Sequence, residues 1–249
     1  MSITRVQALA ADGGDALAVP HLLDPFLALP GVKSAQIDVD EPANAWRVKY
    51  QPDAELFCGS CFKTFVLTAY LQEVEAGRLD EAEQLAIDDS VRSPSSGVFL
   101  NLTGTTEARS ALEAMIAHSD NTGTDAAMKR VGVDRVRKFI SEAGYAKARI
   151  PDSTRRFFSY VAGAPAGEDM GWNQIESLLD DNKPDTSKYR PALNDVETMS
   201  VPASELVTHY KRALTGAYFK HPETLTEFKR IRRWPIPLPT SCRRTRPPT

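Results

Sequence analysis

The sequence contains little cysteine and little histidine, which bears on metal and redox chemistry. It holds 3 cysteines and 4 histidines among 249 residues, too few for a disulfide framework and without the spacing of a set of metal ligands. Cys58 and Cys61 form a Cys-x-x-Cys pair that leaves a redox or zinc role open, but no second pair and no paired histidines complete a zinc site. We therefore predict no metal and no cofactor.

Long apolar runs and a strong charge imbalance are also missing. No run approaches the about 18–20 apolar residues that cross a membrane, so no membrane-spanning helix is expected. A formal net charge of −3 argues against a dedicated nucleic-acid binder. Residues 1–20 hold no continuous apolar segment of the secretory type. The sequence as written predicts a soluble cytoplasmic protein, or a periplasmic or secreted one if an N-terminal signal was removed.

Hydropathy patterns predict both strands and helices. Alternation over 34–39 and 45–50 is typical of a hairpin with one buried face, and the helical period of 60–75 closes at Gly77. Residues 151–194 are rich in Pro, Gly and Asp and are interpreted as a long loop, typical of a lid or a binding insertion. Further helices are expected at 16–29, 107–117, 122–131, 134–143 and 202–215.

Two short motifs indicate chemistry, and the first is Ser-x-x-Lys at 60–63. Ser60 begins a predicted helix, where unpaired N–H groups and the positive end of the helix dipole stabilise a developing anion. Lys63 shares that helix face, and a desolvated lysine can take the proton of a serine hydroxyl. The motif alone is weak, because a capping serine followed by a surface lysine gives the same pattern.

The second motif is Ser119-Asp120-Asn121, at the junction of two predicted helices. All three residue types cap helices well, so a simple N-cap is the alternative explanation. A Ser-x-x-Lys motif followed about sixty residues later by Ser-Asp-Asn is nevertheless two-thirds of a known set, whose third member is Lys-Thr-Gly.

With these motifs the sequence resembles the penicillin-recognising serine hydrolases, which are the class A β-lactamases and, more distantly, the DD-peptidases. The resemblance covers about 35–145 and a second stretch near 189–235. It implies an α/β (α+β) fold of the β-lactamase/DD-peptidase type, with a single domain in two lobes. The sheet lobe would comprise 15–58 and about 215–239, and the mainly helical lobe 60–214.

The resemblance also implies a role for each motif residue. Ser60 would be the nucleophile that forms an acyl-enzyme, with Lys63 as its base. Ser119 would relay a proton to the leaving amide nitrogen, and Asn121 would hydrogen-bond the amide side chain of the substrate. The backbone N–H of Ser60 and a second N–H from a C-terminal strand would hold the oxyanion. The expected partner is a small amide or β-lactam substrate.

The segment 189–194 departs from the class A pattern. Its sequence, Tyr-Arg-Pro-Ala-Leu-Asn, matches the Glu-Pro-x-Leu-Asn segment of the family, with Arg190 in place of the glutamate that activates the deacylating water. Arginine stays protonated and cannot act as a general base, so efficient deacylation is not expected. We assign Arg190 and Asn194 to substrate binding. Three carboxylates of the preceding segment remain as alternative bases: Glu168, Asp169 and Glu176.

The C-terminal part lacks the third motif. Lys220 and Lys229 are not followed by Thr/Ser-Gly, so the sequence predicts a fold that is incomplete at the C-terminus. Such a fold would lack a cation for a substrate carboxylate and a second oxyanion donor, and poor stability or loss of activity would follow. Residues 240–249 are expected to be an aberrant or disordered tail, whose Arg and Pro bias also fits a frameshift.

The sequence is therefore compatible with three functions. The first is a serine hydrolase that forms an acyl-enzyme on Ser60 and cleaves a β-lactam or another amide. The second is a DD-peptidase-like enzyme that transfers the acyl group to an amine. The third is a catalytically inactive binding module, which Arg190 and the missing motif favour. Acylation of Ser60 separates the first two from the third, and hydrolysis of the acyl-enzyme separates the first from the second.

Overall fold

The computed structural model describes residues 7–10, 20–180 and 185–233. Within these ranges helices and antiparallel strands occur together, which confirms the predicted α+β class. No helix in this described part is long and apolar enough to span a membrane. The tail predicted at 240–249 and the first residues of the helix predicted at 16–29 lie outside the described residues.

The larger sheet has three antiparallel strands in the order β1-β3-β2. These strands are β1 (Gln7–Ala10), β2 (Ala35–Glu41) and β3 (Asn44–Tyr50). The predicted hairpin of β2 and β3 is confirmed, with Ala35 opposite Tyr50. Across it, Arg47 donates to both carboxylate oxygens of Asp38, each at 2.8 Å. The two-residue hydropathy period therefore identified both strands of the hairpin.

Helices make up most of the remaining structure. They are α1 (Asp24–Ala28), α2 (Lys63–Glu75), α3 (Ala108–Ala117), α4 (Asn121–Val131), α5 (Val133–Glu142), α6 (Thr154–Val161), α7 (Gly171–Asp180), α8 (Ala203–Leu214) and α9 (Pro222–Arg232). Helices α2, α3, α4, α5 and α8 occur where the helical period predicts them.

Helix α2 lies at the centre of the helical part. Every residue from Lys63 to Leu71 is buried, and helices α3, α4, α5 and α9 all contact α2. The ring of Phe65 packs 4.6 Å from that of His209 on α8 and 6.4 Å from that of Phe139 on α5, between centroids. Because the helix is enclosed on all sides, packing fixes the position of the residues at its N-terminal end.

The segment 151–194 is not the long loop that its composition indicated. It contains helices α6 and α7 and a 3₁₀ turn at Thr186–Lys188. Ser153 caps α6, because its Oγ accepts a hydrogen bond from Arg156 N at 3.0 Å, and Phe157 buries its ring. The loop prediction was wrong because the Pro, Gly and Asp residues lie mostly between short helices. They dominate the average composition of the segment, which therefore does not show the apolar faces of these helices.

Three further elements, two strands and one helix, were not predicted. Strands β4 (Gln84–Ile87) and β5 (Gly104–Glu107) form a small antiparallel pair. Residues 215–233, which were predicted for the sheet lobe, form a turn and helix α9, which packs against α2 and α3 of the helical part. The division into two lobes otherwise stays a prediction.

The carboxylate of Glu73 ties α2 to its surroundings. Its side chain is 10% exposed and accepts hydrogen bonds from Arg78, which follows the helix, and from Arg135 of α5 at 2.5 Å. The hydrogen bond from Arg78, aided by the hydrogen bond from Arg135 and by both positive charges, lowers the pKa of Glu73 to about 2 against the opposing effect of burial.

We predict that Glu73→Gln lowers the free energy of unfolding at neutral pH by about 1–3 kcal/mol, because two arginines lose a charged acceptor. A carboxyl group whose pKa is lowered on folding contributes stability above its unfolded value, 4.5, and loses that stability as the pH falls toward about 2. Between these two pH values the parent protein should therefore lose stability more steeply than the variant. Urea unfolding across this range measures the effect.

The control is Glu142→Gln, since Glu142 is 60% exposed and lies 3.8 Å from Lys138. This variant should change the stability by less than about 0.5 kcal/mol. Parallel pH profiles for the parent and Glu73→Gln would contradict the prediction.

Candidate active site

Ser60 lies in the turn that leads into α2. A 3₁₀ turn at Gly59–Phe62 precedes the helix, and Gly59 has a φ of +55°, a conformation that residues with a Cβ rarely adopt. Ser60 is exposed, whereas Phe62 and Lys63 after it are buried. The turn therefore presents the serine hydroxyl to solvent at the N-terminal end of a buried helix, where the dipole favours negative charge.

Lys63 is the first residue of α2, and acceptors enclose its ammonium group. The residue is 2% exposed. Its Nζ donates to Ser119 O at 2.6 Å, to Ser119 Oγ at 3.2 Å and to Asn121 Oδ1 at 2.7 Å. A lysine has three N–H donors, so these three contacts use all of them and offset the cost of burying the charge.

Ser119 connects Lys63 with Ser60. Its hydroxyl donates to Ser60 Oγ at 2.7 Å and accepts from Lys63 Nζ. The backbone of Ser119 has a φ of +56°, a left-handed conformation that costs a non-glycine residue about 1–2 kcal/mol. The structure thus brings together Ser60, Lys63, Ser119 and Asn121, and this hydrogen-bonded group is called here the serine–lysine network.

Asn121 begins α4 and is 6% exposed. Its Oδ1 accepts from Lys63, and its Nδ2 donates to Pro94 O at 2.7 Å. These two bonds fix the plane of the side-chain amide and leave one N–H and one acceptor lone pair for another partner. Its assignment to binding a substrate amide stays a prediction.

Asp120 supports the network through more hydrogen bonds than the sequence predicted. The residue is fully buried, and its Oδ1 caps α4 by accepting from Gly123 N at 2.7 Å. Its Oδ2 accepts from Val98 N at 2.7 Å and from Phe99 N at 3.0 Å. The N-cap considered as the alternative explanation of this motif is therefore present at Asp120, and the same carboxylate also anchors the 98–99 loop.

Burial shifts the pKa of two groups around the network. Desolvation lowers the pKa of Lys63 to about 8, against the opposing charges of Asp125 and Asp120. Desolvation also raises the pKa of Asp125 to about 6, although this carboxylate accepts hydrogen bonds from Thr154 and from Arg155 N at the start of α6. A lysine whose pKa is about 8 is partly neutral at neutral pH, and the neutral form can accept a proton.

Arg190 is bound to the C-terminal end of α6. Its Nη1 donates to Tyr160 O and to Ala164 O, each at 2.6 Å, and its Nη2 donates to Gly163 O at 3.3 Å. The guanidinium carbon lies 4.3 Å from the centroid of the Tyr160 ring. The helix dipole favours a cation at this end of a helix, so Arg190 acts as a cap of α6. Its assignment to substrate binding stays a prediction.

Asn194 organises its own loop. Its Oδ1 accepts from Val196 N at 2.9 Å and from Glu197 N at 2.8 Å, and its Nδ2 donates to Glu197 O at 2.7 Å. Among the described residues, neither Arg190 nor Asn194 has a hydrogen bond to the serine–lysine network. The structure therefore brings together four of the six predicted site residues, and the binding role of Asn194 also stays a prediction.

Comparison with known proteins gives the class to which this fold belongs, the β-lactamase-like serine hydrolase superfamily. Residues 31–187, more than half of the 249, match the sequence profile of the Beta-lactamase enzyme family. The chain belongs to that family. No curated protein matches the chain in sequence.

Solved structures share the fold. PBP-A superimposes with a TM-score of 0.61 at 17% identity, covering 86% of this chain and 68% of its own. A β-lactamase from Xanthomonas campestris pv. campestris str. ATCC 33913 gives 0.56 at 16% identity, covering 80% of this chain and 61% of its own. The chromosome-encoded β-lactamase of Vibrio parahaemolyticus gives 0.55 at 20% identity, covering 80% and 62%. The predicted β-lactamase/DD-peptidase fold is confirmed, and the chain spans about three-fifths of the length of these two β-lactamases.

We predict that Arg190→Ala lowers the free energy of unfolding by about 1–3 kcal/mol, because three carbonyl groups lose a charged donor and the Tyr160 ring loses its stacked cation. Arg190→Lys is the matched variant: it keeps the charge but lacks the planar fork, so the loss should be smaller. Denaturant unfolding followed by circular dichroism measures both. An alanine variant as stable as the parent would show that Arg190 does not cap α6.

Proposed function

We propose that the protein is a serine hydrolase that forms an acyl-enzyme on Ser60 and cleaves a β-lactam or another amide bond. One observation carries the proposal: the exposed hydroxyl of Ser60 is joined through Ser119 to the buried Lys63, whose pKa is lowered to about 8. Acyl transfer needs a nucleophile, a proton relay and a base within one hydrogen-bonded group. Membership of the Beta-lactamase enzyme family supports the same chemistry.

Acylation would move one proton along the network. With Lys63 protonated, its Nζ donates to Ser119 Oγ, and Ser119 donates to Ser60 Oγ. With Lys63 neutral, both bonds reverse, so that Ser60 donates to Ser119 and Ser119 donates to Lys63. As Ser60 Oγ attacks the carbonyl carbon, its proton passes to Ser119 while the proton of Ser119 passes to Lys63. The base form of Lys63 is therefore the reactive one.

The same network would supply the proton that the leaving nitrogen requires. As the C–N bond breaks, Ser119 gives its proton to the nitrogen and takes one from the ammonium group of Lys63. Lys63 then returns to the neutral form in which the cycle began. The backbone N–H of Ser60, at the N-terminal end of α2, is the proposed oxyanion donor.

Release of the acyl group needs a base that activates water. The candidates for this base are weaker than Lys63 is as the base for acylation. Arg190 stays protonated and is bonded to the carbonyl groups of α6. Asp169 is paired with Arg155 at 2.7 Å, and Glu168 and Glu176 lie exposed on the surface. We therefore propose that deacylation is slow and that the acyl-enzyme persists.

A catalytically inactive module that binds penicillin without forming an acyl-enzyme is the second candidate, and the bonding of Arg190, which leaves no base at that position, favours it. A mutant of PBP-A, whose fold this chain shares, has been solved as an acyl-enzyme complex with penicillin G. Penicillin G is accordingly the first probe for this chain. A DD-peptidase-like transferase would differ in its product, because an added amine would capture the acyl group.

We predict that penicillin G adds its full mass to the intact chain and that Ser60→Ala abolishes the adduct, because the proposed nucleophile is gone. Intact-protein mass spectrometry over time measures the adduct, and the absorbance of the drug measures its consumption. Ser110→Ala is the matched control, since Ser110 is exposed on α3 and lies outside the network.

The outcomes of this experiment separate the hydrolase from the inactive binding module, and repeating it with an added amine tests the transferase. A lasting adduct lost only in Ser60→Ala supports acylation with slow release. Hydrolysed drug without an adduct contradicts slow deacylation. Unchanged drug without an adduct contradicts the hydrolase and leaves the inactive binding module.

We further predict that the acylation rate rises about tenfold per pH unit below pH 8 and is level above it, because only neutral Lys63, whose pKa is about 8, accepts the proton. Lys63→Arg keeps the positive charge but does not deprotonate, so above pH 8 it should acylate at least about 100-fold more slowly than the parent, and its rate should not show the rise below pH 8. Stopped-flow mixing with a chromogenic cephalosporin measures the rates. A flat profile for the parent would exclude Lys63 as the base.

A further inference from the structure

Cys58 and Cys61 flank Ser60 and take no part in the proposed acylation. The sequence left a redox or a zinc role open for this Cys-x-x-Cys pair. Within the described residues no group of three or more His, Cys, Asp or Glu side chains is arranged to hold a metal ion, and both cysteines are free thiols. The redox alternative has support from the geometry of the turn.

The backbone of the turn holds the two cysteines close together. Cys61 N donates to Cys58 O at 3.4 Å, which closes a four-residue turn through Gly59, whose φ is +55°. The first and fourth Cα atoms of such a turn lie less than about 7 Å apart, and disulfides join Cα atoms about 4.4–6.8 Å apart. The Cα separation of such a turn is therefore compatible with a disulfide between Cys58 and Cys61.

The two thiols differ in exposure and in reactivity. Cys61 is exposed, whereas Cys58 is partly buried, with its sulfur against the backbone N–H groups of Phe62 and Val201. Burial raises the pKa of Cys58 to about 12, and the charge of Cys61 adds to the shift. Cys61 is therefore the thiol that meets a reagent in solution first.

We propose that Cys58 and Cys61 form a reversible disulfide, by exchange with a low-molecular-weight disulfide such as oxidised glutathione, and that this bond changes the conformation of the turn that carries Ser60. The Cys61 thiolate attacks one sulfur of the reagent, whose S–S bond breaks and releases one thiolate. Cys58 loses its proton to solvent, attacks the sulfur of Cys61 and displaces the second thiolate. The chain loses two protons and two electrons, and the reagent takes up both to become two thiols.

The bond would act on Ser60 because Ser60 is part of the same turn. Ser60 lies between the cysteines, so a bond between the two sulfur atoms would constrain the backbone dihedrals around it. Its 2.7 Å contact with Ser119 Oγ exists with both thiols free. A displacement of about 1 Å at such a site can slow a reaction by up to about 100-fold. The thiol chemistry is independent of the proposed function, and only its effect on acylation rests on it.

The test uses the full-length chain with Cys242→Ser, so that two of the 3 cysteines remain. After oxidised glutathione and then a maleimide, the intact mass should be lower by two hydrogens and carry no maleimide, and dithiothreitol should restore two labelled thiols. Adding Cys58→Ser should trap glutathione on Cys61, and adding Cys61→Ser should slow the reaction at least about tenfold. Two labelled thiols after oxidation, or a lasting glutathione adduct without Cys58→Ser, would overturn the disulfide.

Two further measurements report on the turn. Hydrogen exchange of a peptide covering 57–66 should differ between the reduced and oxidised chains, and acylation by penicillin G should be at least about tenfold slower in the oxidised chain. Equal exchange in both states would overturn the conformational part, even with the disulfide formed. If neither state is acylated, the proposed function fails, while the masses and the hydrogen exchange still decide this proposal.

Discussion

The buried ammonium group of Lys63 is the constraint on which the rest of the site depends. A buried charge is tolerated only when it is fully paired, and here all three acceptors belong to Ser119 and Asn121, across the junction of α3 and α4. The position of Ser60 follows from this pairing, because Ser60 lies one turn before Lys63 at the start of a helix that is enclosed on all sides. The packing of α2 and the pairing of the Lys63 charge together fix the position of Ser60.

The left-handed backbone of Ser119 is held in place by its neighbours. Asp120, directly after it, accepts hydrogen bonds from three backbone N–H groups, and its own N–H donates to Ala114 O at 3.1 Å. A strained residue persists where its surroundings over-determine it. In this conformation the carbonyl and the hydroxyl of Ser119 both reach Lys63, and the hydroxyl also reaches Ser60. The strain is therefore coupled to the geometry of the proposed relay.

The residues of the serine–lysine network could be predicted from the sequence because each motif is local and the start of a helix sets its internal spacing. That the two motifs meet did not follow from periodicity, and it was expected only through the resemblance to a known family. Features built by contacts between distant segments were missed. They include the β4–β5 pair, the packing of α9 on α2 and α3, and the bonds from Asp120 to the 98–99 loop. The average composition of residues 151–194 also gave no sign of α6 and α7.

Arg190 illustrates why a charge does not by itself assign a role. Its replacement of a carboxylate in the class A pattern excludes a general base, but the direction of the guanidinium depends on where α6 ends, and the sequence did not predict α6. The opposite end of that helix, at Thr154, binds Asp125 of α4, the helix that Asn121 begins. Arg190 thus stabilises an element that supports the network and offers it no base. Under the proposed function, the network supplies the nucleophile, the relay and the base that acylation needs, whereas Arg190 supplies no base for the release of the acyl group.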